Sequence, residues 1–300
     1  MASLYTHKAK NIRKTWLIFT VFLVVVVGVG WIFAQAYGDP MILYIAVVFS
    51  IVMNVAAYWW SDKLVLKMTR AQPVTRENAR ELYTLVENLC IGAGLPVPKI
   101  YSINDPSPNA FATGRDPEHA VIAVTTGLLG RLERNELEGV LAHELSHIGN
   151  RDMLVSTIVV VLVGFISILG DMFMRMTFFG GMRNRDNRSG GNPVILIVAI
   201  AASLLAPIAA TLMHLAISRK RELLADASGA LLTRYPEGLA NALIKIASDP
   251  TPVTRAQNTT AHLWIDDPFK GKQKTSFIHK LFMTHPPVEE RVAALRGMEL

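Results

Sequence analysis

The chain has 300 residues, of which 51% are hydrophobic and only 18% are charged. An average protein carries about a quarter charged residues, so this composition excludes a disordered protein, a collagen and an ordinary soluble enzyme. The formal net charge is +6. Because the basic residues lie beside apolar runs, they are better interpreted as membrane-topology signals than as a surface for nucleic acid. Cys90 is the only cysteine, which excludes a disulfide bond within the chain.

Four apolar stretches predict transmembrane helices. They cover residues 16–33, 41–60, 153–173 and 194–217. Each is about 18 to 24 residues long, enough to cross a hydrocarbon core of roughly 30 Å at about 1.5 Å per residue. Asp171 and Pro207 interrupt the last two stretches. An acid near the end of a span can reach the headgroups, and a proline can kink a span without breaking it, so all four stretches are retained as spans.

Lysine and arginine residues set the expected orientation, because cytoplasmic loops are enriched in them. They precede the first span, follow the second and follow the fourth, whereas the connection at Asp39-Pro40 has none. We therefore expect both termini and both polar regions to be cytoplasmic, with the first span an uncleaved anchor. The arginines between the third and fourth spans do not follow this rule. Because each of these two spans crosses the membrane once and both polar regions are cytoplasmic, the loop between the spans is still expected outside.

The polar segments complete the domain plan. Residues 1–60 and 153–217 are predicted to form two transmembrane hairpins, and residues 61–152 and 218–300 the two parts of one cytoplasmic domain. Strand-like alternation falls on residues 98–103, and residues 109–113 and 120–125 are further strand candidates. Helical patterns fall on residues 78–92, 135–150, 237–247 and 288–295. The expected fold class is an α+β membrane protein, with four transmembrane helices and a mainly helical domain that contains a small β-sheet.

A metal-binding motif lies in the helix predicted at residues 135–150. His143-Glu144-Leu145-Ser146-His147 matches H-E-x-x-H. Positions i and i+4 of a helix share a face, so the two imidazoles point at one site, as a tetrahedral zinc ion requires. The motif glutamate directly follows the first histidine, where it can take a proton from the attacking water. The motif therefore predicts zinc-dependent hydrolysis.

A catalytic zinc site needs a third protein ligand. A third histidine at metzincin spacing is excluded, because Asn150 and Met153 occupy the positions that this pattern assigns to glycine and histidine. The downstream candidates are Glu222, Glu237, Glu289, Glu290 and Glu299. If the motif helix runs straight into the third span and a neighbouring helix leaves the fourth, Glu222 reaches the height of the motif histidines, about 10 Å above the membrane edge. Glu222 is the predicted ligand, with His214 as a rival inside the apolar run.

One further residue is predicted to support a metal ligand, and two histidines are not. Asp226 lies one helical turn after Glu222 on the same face, and is predicted to accept a hydrogen bond from a ligand imidazole. His119 and His262 have no partner at ligand spacing, so both are interpreted as surface or core residues.

These motifs resemble those of the HtpX heat-shock-associated membrane metalloproteases, which are relatives of the CAAX prenyl proteases. The similarity covers nearly the whole chain and is carried by residues 108–114, 143–152, 221–226 and 284–287. It implies a gluzincin fold with one zinc ion on His143, His147 and Glu222, and with Glu144 as the base. It also implies proteolysis of misfolded membrane proteins in the bacterial inner membrane, as a stress response.

The resemblance gives further residues an expected role. Asn109, Ala110 and Phe111 resemble the substrate-side strand of the family, where an extended peptide adds to a sheet edge through main-chain hydrogen bonds. The alternative is an ordinary strand entry with Phe111 in the core. His285 and Arg291 resemble residues that the prenyl-protease relatives place near the scissile carbonyl, where a cation stabilises the developing oxyanion. The alternative is a helix start and a solvated face.

The expected partners are polypeptide substrates and the lipid bilayer, without nucleic acid. Three rival functions share parts of this pattern. An intramembrane protease of the site-2 type is disfavoured, because charged residues on both sides of the motif are too polar for a bilayer core. A dedicated prenyl protease is harder to exclude, although such enzymes usually have more spans. A membrane scaffold or transporter with a degenerate metal site is the alternative outside enzymes.

Overall fold

The computed structural model describes residues 4–182, 219–254, 259–270 and 286–298. The fourth predicted span at residues 194–217, the rival ligand His214 and the predicted oxyanion residue His285 lie outside the described residues.

Three long helices form the apolar part of the molecule. They are α1 (Leu4–Tyr37), α2 (Met41–Thr69) and α6 (Asp152–Met182). The first two form a hairpin that turns at Gly38, whose φ of 67° glycine adopts without strain. All three contact one another, and their buried side chains form one cluster that includes Phe22, Ala57 and Leu162. Within the described ranges, these three helices are long and apolar enough to cross a membrane, and they contain the first three predicted spans.

A small mixed β-sheet lies in the polar part of the chain. Its strands are β1 (Gln72–Pro73), β2 (Lys99–Ile103), β3 (Ala110–Thr113) and β4 (Val121–Thr125). The strand order is β1-β2-β4-β3, with β2 and β4 parallel and the outer strands antiparallel to their neighbours. The last three strands confirm the predicted ones. The two-residue β1 is too short to show an alternating pattern and was not predicted.

The remaining described helices build the polar domain around α5. They are α3 (Arg80–Ala93), α4 (Thr126–Arg131), α5 (Arg134–Gly149), α7 (Arg219–Thr233), α8 (Pro236–Ser248) and α9 (Val288–Arg296). A capping box between Glu133 and Glu136 starts α5, and Val140, Leu141 and Leu145 are buried along its length. Because α5 contacts α3, α7, α8 and β3, it is the central helix of the domain.

The expectation that the motif helix runs straight into the third span is wrong. The helix α5 ends at Gly149 and α6 begins at Asp152. Between them Arg151 has a φ of 56°, in the left-handed region that stops an α-helix. The two helices therefore change direction at residues 150–151, and the heights assumed for a continuous helix do not apply.

Two glycines let neighbouring helices approach α5 closely. A Cβ atom on Gly139 of α5 would lie 2.7 Å from the backbone nitrogen of Leu239 in α8. A Cβ atom on Gly229 of α7 would lie 2.9 Å from the backbone nitrogen of His143. Both distances are too short for a real contact, so only glycine permits this packing. Since Gly229 lies seven residues after Glu222, close packing at this glycine directs the same face of α7 toward the motif helix.

Candidate metal centre

Three side chains from two helices converge on one point. His143 and His147 lie one turn apart on α5, with their Nε2 atoms 3.2 Å apart. Glu222, in the first turn of α7, places its Oε2 3.8 Å from Nε2 of His143 and its Oε1 3.6 Å from Nε2 of His147. The ligand atoms of the three residues all lie within 4.8 Å of one another. The structure therefore brings together the residues that the sequence predicted as ligands.

These separations fit a tetrahedral metal ion. Two nitrogen atoms that each lie about 2.0–2.1 Å from a tetrahedral zinc ion are about 3.3 Å apart. The two imidazole nitrogens and the carboxylate oxygens have spacings of this order. Two imidazoles and one carboxylate are also a donor set that catalytic zinc sites use.

The other glutamates considered as ligands lie elsewhere. Glu237 is half-buried and accepts a hydrogen bond from Arg296 at 3.0 Å. Glu289 and Glu290 are exposed at the start of α9, and Glu299 lies outside the described residues. Among the described candidates, Glu222 alone contacts the motif histidines.

Asp226 contacts the first motif histidine on the ring edge that faces away from the other ligands. Its Oδ1 lies 2.9 Å from Nδ1 of His143, on the ring edge opposite the converging Nε2. Arg291 donates to both oxygens of Asp226, at 2.8 and 2.6 Å, and to the carbonyl of Ile265 at 3.2 Å. Burial raises the pKa of Asp226, but Arg291 and His143 outweigh it and lower this pKa to about 2. The carboxylate is thus charged and fixed beside the ring.

Asp152 makes the equivalent carboxylate contact with the second motif histidine, His147. The sequence analysis did not predict this contact. Its Oδ2 lies 3.2 Å from Nδ1 of His147. Its Oδ1 accepts hydrogen bonds from Asn11 at 2.8 Å and from Arg221 at 3.0 Å. Asn11 also donates to the carbonyl of Asn150, so the N-terminal apolar helix contacts the wall of the site directly. The sequence feature that could have indicated this contact is an acidic residue directly before a long apolar run.

The electrostatics of the site favour a cation. Among the described residues, the buried imidazole of His143 and the partly buried imidazole of His147 lie beside four carboxylates, from Glu144, Asp152, Glu222 and Asp226. Burial lowers the pKa of His147, but Glu222, Asp152 and Glu144 outweigh it and raise that pKa to about 9. The negative charge that raises this pKa also attracts a divalent ion to the same place.

A small cavity opens at the converging ligands. Its volume is about 40 Å³, and Glu144, Ala112, His262 and Ile265 contribute to its wall. This volume accommodates an ion and a few water molecules but not a peptide. His262 is buried, with Nε2 3.2 Å from the carbonyl of Ser156, so it lies in the wall of the site. His119 is exposed and contacts Asp116 instead.

The strand β3 borders this cavity at one edge of the sheet. Asn109 donates its side-chain amide to the carbonyl of Asp266, and the carbonyl of Ala110 accepts from the backbone of Ile265. Phe111 is fully buried against Trp264, with ring centroids 5.0 Å apart. Residues 264–266 therefore cover the first part of the strand edge that was expected to bind substrate.

The described features define a class of protein. Two imidazoles one turn apart, an adjacent glutamate and a carboxylate from a second helix form the site of a gluzincin-type metalloprotease. This site lies beside apolar helices that are long enough to cross a membrane.

Comparison with known proteins identifies the family. The sequence profile of Peptidase family M48 matches residues 76–299. A "Protease HtpX homolog" from Caldanaerobacter subterraneus subsp. tengcongensis is 43% identical over 99% of both chains. Another, from Tropheryma whipplei strain Twist, is 44% identical over 98% of both chains. The chain therefore belongs to peptidase family M48, is a membrane metallopeptidase, and confirms the resemblance to HtpX-type proteases.

A solved structure shares the fold. The crystal structure of S. mikatae Ste24p matches 94% of this chain with a TM-score of 0.51 and 20% sequence identity. The match covers 66% of the Ste24p chain, so this chain spans slightly less than two thirds of that longer protein. At this identity the similarity concerns the fold alone.

Proposed function

We propose that this enzyme is a zinc endopeptidase that cleaves misfolded or damaged membrane proteins on the cytoplasmic side of the bacterial inner membrane. The observation that carries the proposal is the convergence of His143, His147 and Glu222 beside the polar ends of the apolar helices. Residues 1–60 and 153–217 would form two membrane hairpins, and residues 61–152 and 218–300 the cytoplasmic protease domain.

Exposed aromatic residues support the placement of the first hairpin in a membrane. On α1 Trp16 and Trp31 are exposed and 15 residues apart, and on α2 Tyr44 and Trp59 show the same spacing. Fifteen residues of helix span about 22 Å, so each pair lies near the two interfaces of a bilayer, where tryptophan and tyrosine are enriched. Asn11, which contacts the metal site through Asp152, lies about 8 Å beyond Trp16. The site would thus lie just outside the membrane.

In this proposal His143, His147 and Glu222 hold the zinc ion. Bound there, zinc would supply a Lewis acid that makes water a nucleophile at neutral pH and polarises a carbonyl oxygen. Glu144 lines the cavity and is nearly fully buried. Its carboxylate would take a proton from the attacking water and return it to the leaving amine.

The residues around the ligands would hold them in place. Asp226 lies 2.9 Å from Nδ1 of His143 and Asp152 lies 3.2 Å from Nδ1 of His147, so each carboxylate would orient its ring toward the metal. Since Arg291 is buried and bound to Asp226, we assign it a positioning role instead of a contact with the substrate carbonyl. His285 is retained as the candidate for oxyanion stabilisation.

The substrate would bind along β3. The Asn109 carbonyl pairs with the backbone nitrogen of Thr125 in β4, so strand alternation directs the backbone groups of Ala110 and Ala112 away from β4. The carbonyl of Ala110 is already bonded to Ile265, whereas Ala112 lines the metal cavity. A peptide would add to the edge at Ala112, and residues 264–266 would have to move away for a longer contact.

Removal of the proposed base tests the mechanism. We expect Glu144→Ala to retain about one zinc ion per chain while cleavage of casein in detergent falls about 100- to 10,000-fold, the usual contribution of a general base. Zinc is measured by mass spectrometry of the purified protein. Glu138→Ala, on the same helix but outside the cavity, is the matched control and should remain active. Full activity of Glu144→Ala would refute the mechanism.

The substrate class is tested in membranes with the same variants. A reporter with one span carries an identical unfolded segment on either its cytoplasmic or its outer side. The wild type should cleave only the cytoplasmic version, and Glu144→Ala neither. Cleavage of the outer version alone would contradict the proposed orientation but not the peptidase mechanism.

A further inference from the structure

A second and larger cavity lies between α2, the start of β2 and the loop that joins β3 to β4. Its volume is about 510 Å³. Basic or titratable side chains line it: Lys63 from α2, Lys99 from the start of β2, and Arg115 and His119 from the loop between β3 and β4. Asp62 is the single acid among its lining residues. Asp116, next to the cavity, pairs with Arg115 and His119 at 3.3 and 2.6 Å. Counted against both acids, Lys63, Lys99 and Arg115 still leave a small positive charge at the cavity, which favours an anion.

The cavity lies at the level of the aromatic residues that end the apolar part of α2. Trp59 and Trp60 both line it and are 50% and 53% exposed. In the membrane placement proposed above, on which this inference rests, these two residues are at the headgroup region of the cytoplasmic leaflet. Anionic lipid headgroups are concentrated at that depth.

The loop that supplies Arg115 is held in a defined shape. The φ of Gly114 is 137°, and a Cβ atom there would lie 2.5 Å from the carbonyl oxygen of His119. Asp116 accepts a hydrogen bond from the backbone of His119 at 2.8 Å and lies 3.3 Å from Nε of Arg115. The guanidinium of Arg115 lies over the ring of Trp59, 4.7 Å from its centroid. This loop is thus attached to the membrane helix at the interface.

An apolar surface leads from the cavity toward the middle of the proposed bilayer. Val55 lines the cavity and is 47% exposed. Val52 and Val48 continue the exposed surface along α2, at 56% and 61% exposure. Positions 48, 52, 55 and 59 follow helical spacing, so they form one continuous face below the basic residues. A molecule with an anionic head and an apolar tail matches both the basic cavity and the apolar face of α2. Free phosphate matches only the basic cavity.

We propose that this cavity binds the headgroup of an anionic phospholipid, with an acyl chain along the valine face of α2. Lys63, Lys99 and Arg115 contact the phosphate, and Trp59 and Trp60 pack against the glycerol region. The lipid thereby connects the first membrane hairpin to the sheet that carries the proposed substrate strand.

Lipid titration of the full-length protein tests the site. The delipidated protein in a neutral detergent is titrated with phosphatidylglycerol or phosphatidylcholine, and native mass spectrometry measures the first bound lipid. We expect the wild type to bind phosphatidylglycerol about tenfold more tightly than phosphatidylcholine, because several cations at the interface face the headgroup. The triple variant Lys63→Gln, Lys99→Gln, Arg115→Gln should bind the two lipids with affinities within about twofold of each other.

A second triple variant with the same charge change, Lys67→Gln, Arg80→Gln, Arg134→Gln, removes exposed cations outside the cavity and should keep the preference. Equal binding of both lipids by the wild type, or a preference retained without the three cavity cations, would overturn the proposal. Displacement of the lipid by millimolar glycerol phosphate would instead show a site for soluble phosphate esters, and would also overturn it. Casein cleavage by each variant is measured in parallel, so that failure of the lipid site is distinguished from failure of the peptidase.

Discussion

At the level of single residues, each motif histidine has a carboxylate behind it as well as the metal position in front of it. His143 has Asp226 at 2.9 Å and His147 has Asp152 at 3.2 Å. Each carboxylate is in turn held by an arginine, Arg291 on one side and Arg221 on the other. These contacts fix the tautomer in which Nε2 of each ring carries its lone pair toward the ion.

Loss of the Asp152 carboxylate should therefore weaken zinc binding. We expect Asp152→Ala to lower zinc affinity about 10- to 100-fold, the usual cost of removing a carboxylate behind a ligand histidine. Asn11→Leu should produce a smaller loss, because Arg221 still holds Asp152. Zinc affinity is measured by competition with a chromogenic chelator. Asp62→Ala, which lies outside the metal cavity, is the control, and unchanged affinity in Asp152→Ala would contradict the assigned role.

At the level of elements, the metal site depends on how closely α7 approaches α5. Glu222, Asp226 and Gly229 occupy positions i, i+4 and i+7 of α7, and all three face the motif helix. Gly229 permits the close packing of α7 on α5, and this packing brings Glu222 and Asp226 within reach of the motif histidines. A sequence pattern of Glu, Asp and Gly at this spacing thus encodes both the ligand and the packing that positions it.

Adding one methyl group at this contact should disturb the site. Gly229→Ala places a Cβ atom 2.9 Å from the backbone of His143. We expect a loss of about 1–3 kcal/mol of stability from overpacking, offset by about 1 kcal/mol of helix propensity, together with weaker zinc binding. Gly130→Ala in α4, where a Cβ atom meets nothing within 4 Å, should be neutral or stabilising. Thermal unfolding and zinc affinity are measured for both variants, and wild-type zinc affinity in Gly229→Ala would contradict this account.

Local patterns predicted much of this arrangement, and contacts between distant segments account for the rest. Helical spacing was sufficient to place His143 and His147 on one face. Alternation located β2, and short runs of strand-forming residues located β3 and β4, which are buried on both faces. The contact of Asp152 with His147 depends on the left-handed backbone conformation of Arg151, which no local pattern indicates. The pairing of Arg291 with Asp226 depends on the packing of α9 against α7, which joins residues 65 positions apart.

At the level of the whole molecule, the metal site lies where the polar domain meets the apolar helices, beside hydrogen bonds such as the one between Thr113 of β3 and Thr157 of α6. The helix α5 supplies two ligands and α7 the third, while Asn11 of α1 and Asp152 of α6 complete the wall. The first two elements belong to the polar domain and the last two to the apolar helices. An ion at this point would therefore join α5 to α7, and the contact of Asp152 with His147 connects that site to the apolar helices.

Metal removal should accordingly lower the stability of the whole protein. Without the ion, the buried carboxylates of Glu144, Asp152, Glu222 and Asp226 repel one another with less compensation. If free zinc exceeds its Kd about 1,000-fold, binding stabilises the folded state by about 4 kcal/mol. A chelator should lower the thermal midpoint of the wild type and of Glu144→Ala, which retains all three ligands. Glu222→Ala should start from a lower midpoint and respond little to the chelator. If the wild type kept its midpoint after metal analysis had shown that the zinc was gone, the ion would have no part in joining α5 to α7.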